Sequence, residues 1–240
     1  MASPVYLAID TSTDIAGLAI ARGDQLLAEL SWHCRQNHSV ELMPLLNQLM
    51  MQAGVDYKDI GGIVVARGPG SFNGLRVGIS SAKGLAFGLG VPLVGIGTLE
   101  AAAYHHASAG LPVCAAVNAG RDEIGAAIYQ QIDGEWRQLI AEHVTTVDAL
   151  CRQIDNKTIF CGPLPPGIED ELRRKLAERA LIAPPIARLP RAGCLLELGA
   201  VRLDAGEDDG AAALQPLYLR RPQITQSKNK AVRQDNTAKG

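Results

Sequence analysis

Two stretches of this 240-residue chain hold residue types suited to handling phosphate. The first is the acidic, hydroxyl-rich run Asp10-Thr11-Ser12-Thr13-Asp14, which could set a carboxylate near a metal and hydroxyls around a phosphate. The same residues are ordinary turn formers, with aspartates closing hydrogen bonds on their own backbone. The second is "ARGPGSFNGLRVG", residues 66–78, where Gly68, Gly70, Gly74 and the Ser71 hydroxyl stand at the start of a helix, as in an anion cradle. The loop lacks the Gly-Lys-Ser/Thr ending of a Walker A motif and the placement of a dinucleotide fingerprint. Its glycines therefore have two open roles: holding a phosphate, or letting the backbone meet another protein. Asp10, Thr11, Ser12, Gly68, Gly70, Ser71 and Gly74 are the candidate phosphate contacts, vestigial if the chain has no chemistry of its own, and together they would form two sides of a cleft.

No other constellation makes a self-contained catalytic centre. His33 and His38 are five apart and His105 and His106 adjacent, so neither pair has the spacing that sets two imidazoles on one helix face, and no metal site is expected. Ser71 lies in no GxSxG elbow. Asp122 and Glu123 at a tight turn read either as a carboxylate pair or as a solvated turn. The five cysteines, Cys34, Cys114, Cys151, Cys161 and Cys194, are scattered without a CxxC pair, which excludes a zinc knuckle or dithiol site and fits a reducing compartment.

Lys and Arg total 23 against 25 Asp and Glu, so no field of one sign covers the chain and bulk electrostatic binding of nucleic acid is disfavoured. The start shows no secretory pattern, and "GLAFGLGVPLVGIG" is too short and too broken by Gly and Pro to span a membrane. A cytoplasmic protein without membrane contact is expected.

The elements around these residues follow from periodicity. "PVYLAID", "IAGLAIARG" and "QLLAELSWH" read as a three-strand meander rather than a βαβ opening. Residues 38–53 have helix periodicity: Leu42, Leu45, Leu46, Leu49 and Ala53 share a core face, and Gly54 stops the helix. Pro44 is tolerable only near the first turns, which puts the start at Ser39 or slightly later. A second side carries Val40, Met43, Met50 and Met51, more apolar surface than one core contact needs: either a helix buried on two sides or a partner surface. A buried strand at 63–66 enters the glycine loop, and a helix from Asn73 to Leu89 follows. Its core face is Leu75, Ile79, Ala82, Leu85, Ala86 and Leu89, with Val77, Ser81, Gly84 and Gly88 as a separate stripe of small residues. Glycine costs about 1 kcal/mol relative to alanine within a helix, so Gly78, Gly84 and Gly88 each need a packing reason.

A strand "PLVGIG" and a helix capped by Thr98 close the first lobe, residues 1–109. A second meander ("PVCAAVNAG", "EIGAAIYQQ", "EWRQLIAEHV") opens a smaller lobe, 110–222, and suggests a duplicated unit. Residues 223–240 have almost no apolar anchors and read as a disordered tail.

The segments "LAIDTST", "HSVELMPLLNQLM", "GPGSFNGLRVGISSAKGLA", "PLVGIGTLEAAA", "AVNAGRDEIGAAIY" and "PLYLR" resemble the bacterial TsaB (YeaZ) family, most closely through residues 5–130. One departure is Asn73, where the family pattern usually has threonine. The resemblance implies a compact actin-like and Hsp70-like ATPase (ASKHA) fold of two lobes, each with a mixed sheet opening in a meander. It implies a non-catalytic partner of TsaD in making N6-threonylcarbamoyladenosine at position 37 of tRNAs that read A-starting codons. TsaE and tRNA would join through the TsaB–TsaD complex, with no intrinsic cofactor and ATP or ADP belonging to the complex. Where TsaD has a metal-binding histidine pair, this chain has Leu42 after His38. The implied partner surface is His38, Glu41, Met43, Met50, Met51, Arg76, Val77, Ser81, Gly84 and Gly88, which would also support a homodimer in the absence of TsaD. The competing reading is a free-standing small-molecule kinase of the same fold.

Overall fold

The computed structural model describes residues 3–35 and 37–220; the expected tail at 223–240 lies outside the described residues. The first half runs β1 (Val5–Asp10), β2 (Ile15–Arg22), β3 (Gln25–His33), α1 (His38–Ala53), β4 (Ile60–Gly68), α2 (Phe72–Leu89), β5 (Leu93–Gly97) and α3 (Thr98–Tyr104). The second runs β6 (Val113–Gly120), β7 (Glu123–Ile132), β8 (Glu135–Thr145), α4 (Val147–Cys151), β9 (Thr158–Cys161), α5 (Ile168–Leu176), β10 (Ala180–Ile182) and α6 (Ala192–Asp204). The sheet orders are β3-β2-β1-β4-β5 and β10-β9-β6-β7-β8. Advancing every strand of the first sheet by five gives the second, and in both an antiparallel meander is extended by two parallel strands. The duplication inferred from two meanders is thus a property of topology, carried by hydrophobic alternation rather than by repeated residues.

Period-two alternation decides what covers each face of the first sheet. Val5, Leu7 and Ile9 of β1 with Leu18 and Ile20 of β2 point to one face and pack with Leu42, Leu46 and Leu49 of α1 and Ile79, Ala82 and Ala86 of α2. The other face is smaller, with Tyr6, Ala8, Ala19, Ala21, Val64 and Ala66, and it receives α6 through Ala192, Leu195, Leu196 and Leu203. That placement differs from the expectation that 110–222 forms one lobe: α6 returns to the first sheet because the alanine-rich face leaves room for a helix to lie close. Gly199 marks the closest point, where an added Cβ would collide with both methyls of Val64.

Two local expectations are corrected and one strand is added. α1 begins at His38, and Pro44 lies in its second turn; the site is exposed, so the carbonyl that loses its N–H partner faces water. Thr98 is the first helical residue of α3, not its cap; Gly97 occupies the cap position, and the buried Thr98 hydroxyl has no partner among the described residues. The three-residue β10, too short to show a period, was not anticipated.

The helical glycines make opposite predictions. Nothing stands within 4 Å of a Cβ added at Gly84, so Gly84→Ala should stabilise the isolated chain by up to ~1 kcal/mol. Gly199→Ala gains the same propensity but must push α6 from the sheet, for a net loss of about 1–3 kcal/mol. Urea midpoints of the two variants should move in opposite directions.

Candidate functional site

The β1–β2 turn and the glycine loop meet backbone to backbone. The Ser71 N–H donates to the Ser12 carbonyl at 2.7 Å, and the Thr11 hydroxyl donates to the Gly74 carbonyl at 2.7 Å. An added Cβ at Gly70 or Gly74 would overlap the carbonyl oxygen of Ser12 or Thr11, and one at Gly78 would overlap the Thr11 hydroxyl. Glycine at these three positions serves an approach within the chain. Gly78 thereby acquires its packing reason, whereas Gly84 and Gly88 have no heavy atom within 4 Å of an added Cβ. Ser71 caps α2, its hydroxyl accepting from the Gly74 N–H at 3.3 Å.

Asp10, Thr11 and Ser12 are buried. Asp10 Oδ1 accepts the Ser12 N–H at 2.9 Å and the Ser12 hydroxyl at 2.6 Å. Burial raises the Asp10 pKa; the Ser12 hydrogen bonds and nearby His38 pull it down without cancelling the rise. His38 is also buried, its Nε2 3.1 Å from the Thr13 carbonyl oxygen; since that oxygen can only accept, Nε2 carries the proton. The seven phosphate candidates are therefore brought together, with the Thr11 and Ser12 hydroxyls and the Ser71 N–H already committed to partners inside the chain.

A cleft of about 600 Å³ opens beside this junction, between the lobes. Thr13, Asp14 and Gly70 line one wall, Asn118 and Gly162 the other. Its arginine, Arg188, is paired with Glu169 at 2.5 Å. Among the described residues no group of three or more His, Cys, Asp or Glu could hold a metal. Burial pushes the Cys34 and Cys194 thiols up to about 11, far from nucleophile range. At the turn of Asp122 and Glu123, Glu123 pairs with Arg220.

The expected partner surface divides. Val40, Met43 and Met51 are exposed on α1, with Met51 at 82%, and Gly84 and Gly88 are exposed on α2. Val77 and Ser81 are half-buried. Arg76 is exposed, its guanidinium 4.7 Å from the Phe72 ring centroid. Glu41 accepts the Trp32 indole N–H at 3.0 Å. Two expectations are corrected: Met50 joins the core and His38 braces the Thr13 turn, so neither is offered to a partner. Phe87, 85% exposed between the two open glycines, was missed although an aromatic on the outer side of "GLAFGLG" was there to be seen.

Against this geometry, the family model "TsaD: tRNA N6-adenosine threonylcarbamoyltransferase" matches residues 32–223. A Bacillus subtilis protein named "tRNA threonylcarbamoyladenosine biosynthesis protein TsaB" is 33% identical over 159 residues, 65% of this chain and 69% of its own. The chain belongs to the TsaB (YeaZ) family. A Haemophilus influenzae TsaB is 28% identical over 234 residues, covering 92% of this chain and 95% of its own. The solved structure of YeaZ from Pseudomonas aeruginosa superposes with a TM-score of 0.76 at 27% identity, covering 90% of this chain and all of that one. The paired five-stranded sheets are thus the two lobes of an ASKHA fold. A tRNA N6-adenosine threonylcarbamoyltransferase from Trichlorobacter lovleyi is 30% identical over 206 residues, but this chain covers only 58% of its length. This chain thus resembles that transferase over barely more than half of its length.

Asp10 gives a pH prediction. Its folded-state pKa is raised, so its contribution to stability is fully present below the unfolded value of ~3.9 and is lost as pH rises through the folded value. Asp10→Asn has no such dependence. The unfolding free energy of the natural chain minus that of Asp10→Asn should therefore fall as pH rises above ~4 in urea titrations; a flat or rising difference would contradict a buried carboxylate.

Proposed function

We propose that this chain is a non-catalytic subunit of the machinery that forms N6-threonylcarbamoyladenosine at position 37 of tRNAs reading A-starting codons, and that it works by docking and stabilising TsaD. The observation that carries this reading is the outer side of α1 and α2. Val40, Met43, Met51 and Phe87 are large apolar side chains left exposed, and Gly84 and Gly88 remove the Cβ atoms that would keep another helix at a distance. Among the described residues nothing stands within 4 Å of a Cβ added at either glycine, although each costs about 1 kcal/mol of helix stability. Flexible methionine side chains adapt to more than one related surface. The same side would pair with a second copy of the chain when TsaD is absent. TsaE and tRNA would be engaged through the TsaB–TsaD assembly, and ATP or ADP would belong to that assembly.

The alternative, a free-standing kinase or ATPase, draws support from the inter-lobe cleft. Against it, the Ser12 and Thr11 hydroxyls and the Ser71 N–H already have partners, and the cleft's arginine is neutralised by Glu169. A triphosphate held by those groups would have to break these contacts.

The deciding experiment is a pull-down with the cognate TsaD, followed by a tRNA modification assay with and without this chain. Binding and a large drop in modification on omission are expected; no affinity for TsaD would end the proposal. Gly84→Leu should abolish the mixed complex on size-exclusion chromatography while the circular dichroism of the isolated chain stays unchanged, and an undiminished complex would exclude this use of the stripe. The purified chain alone should show no ATP turnover; robust turnover would favour the kinase.

A further inference from the structure

After α6 the chain returns along the first lobe. The Asp209 N–H donates to the Leu93 carbonyl at 2.9 Å, its carboxylate accepts the Gly95 N–H at 2.8 Å, and Leu214 is buried in the first-lobe core. The next residues change lobes. Leu217 N–H donates to the Arg67 carbonyl of β4 at 2.6 Å, and Tyr218 packs on Phe72 with ring centroids 5.2 Å apart. Leu219 then lies against Gly125 in β7, and Arg220 pairs with Glu123 of the same strand.

Two glycines, one in each lobe, make room for this crossing. A Cβ at Gly68 would stand 2.5 Å from the Leu217 carbonyl oxygen, and a Cβ at Gly125 would collide with the Leu219 side chain. Gly125 lies within β7, where glycine weakens a strand and marks the close approach of another group. Elsewhere α3 joins the lobes, Leu99 and Ala103 packing on β6 and β7 residues. A second, separate attachment adds a restraint on the angle between the lobes to the one that α3 provides.

We propose that residues 217–220 are a clasp that holds the two lobes at one relative angle, seated on Gly68 in the first lobe and on Gly125 in the second. The clasp also walls a cavity of about 230 Å³ bounded by Phe72, Val117 and Asn118. Because Tyr218 rests on the first turn of α2, the orientation of the second lobe is mechanically tied to that helix. The inference does not depend on the proposed partner.

Hydrogen exchange on the isolated protein tests it, comparing the full chain with chains ending at Arg220 and at Pro216. The chain ending at Arg220 should match the full chain. The chain ending at Pro216 should exchange about tenfold faster at 117–124 and in the first turn of α2, with β1–β3 and α6 still protected. Full protection in the shorter chain would overturn the clasp, as would an effect already present on ending at Arg220, or a uniform rise across both lobes. Should the shorter chain fail to fold, Gly125→Val in the full chain suits a strand but evicts Leu219. It should give the same local pattern, and unchanged exchange would equally refute the proposal.

Discussion

The contact on which the first lobe depends is the close touch of two backbones, the β1–β2 turn lying on the start of α2 with only the small Thr11 side chain reaching across. Gly70, Gly74 and Gly78 make it sterically feasible, and hydrogen bonds from Thr11 and Ser71 hold it. Because β1 is the centre of the sheet, this fixes the start of α2 relative to the sheet's middle strand. A loop with the appearance of an anion cradle has thereby been turned inward. The loop's Ser71 N–H satisfies the Ser12 carbonyl, the Thr11 hydroxyl satisfies the Gly74 carbonyl, and Asp10 Oδ1, lying beneath, accepts from Ser12.

The rest of the lobe follows from unequal faces. Large aliphatic residues meet α1 and α2, while alanines meet α6, which arrives from far along the chain to cover them. The glycines of α2 divide in the same physical terms. Gly78 has a neighbour that explains it, while Gly84 and Gly88 look out on open space. A docking role for that side rests on this contrast more than on its apolar character, since single exposed apolar residues are common on any surface.

Much of this was legible in the sequence, for reasons particular residues make clear. The meanders show because "VYLAID" and "IAGLAIAR" lie at the centre of a sheet and are apolar on both faces, ended by polar turns. α1 and α2 show because their apolar spacing is long enough to display a period and Gly54 and Gly90 end them in the left-handed region. Met50 was misplaced because it stands one residue beyond Leu49 and four beyond Leu46, on the border of a stripe whose width depends on how deeply the helix is tucked against β2 and β3. His38 was misplaced because its partner is a backbone carbonyl across the turn, which leaves no trace in side-chain pattern. The return of α6 to the first sheet could not be read from its own residues, since "AGCLLELGAVRLD" is apolar enough to cover either lobe. The meeting of the two loops was foreseen as a cleft; that they close on each other is a matter of ångströms that no spacing conveys.

The two lobes repeat one sheet but not its dressing. Where the first carries helices of 16 and 18 residues, the corresponding helices of the second have 5 and 9. The long helical side therefore occurs once per molecule. Under the proposed docking role, two such molecules meeting through it would satisfy each other across a twofold axis and leave no duplicate face to recruit a third. With the helices of one repeat shortened, an assembly built on this side would close as a pair rather than grow into a chain of subunits.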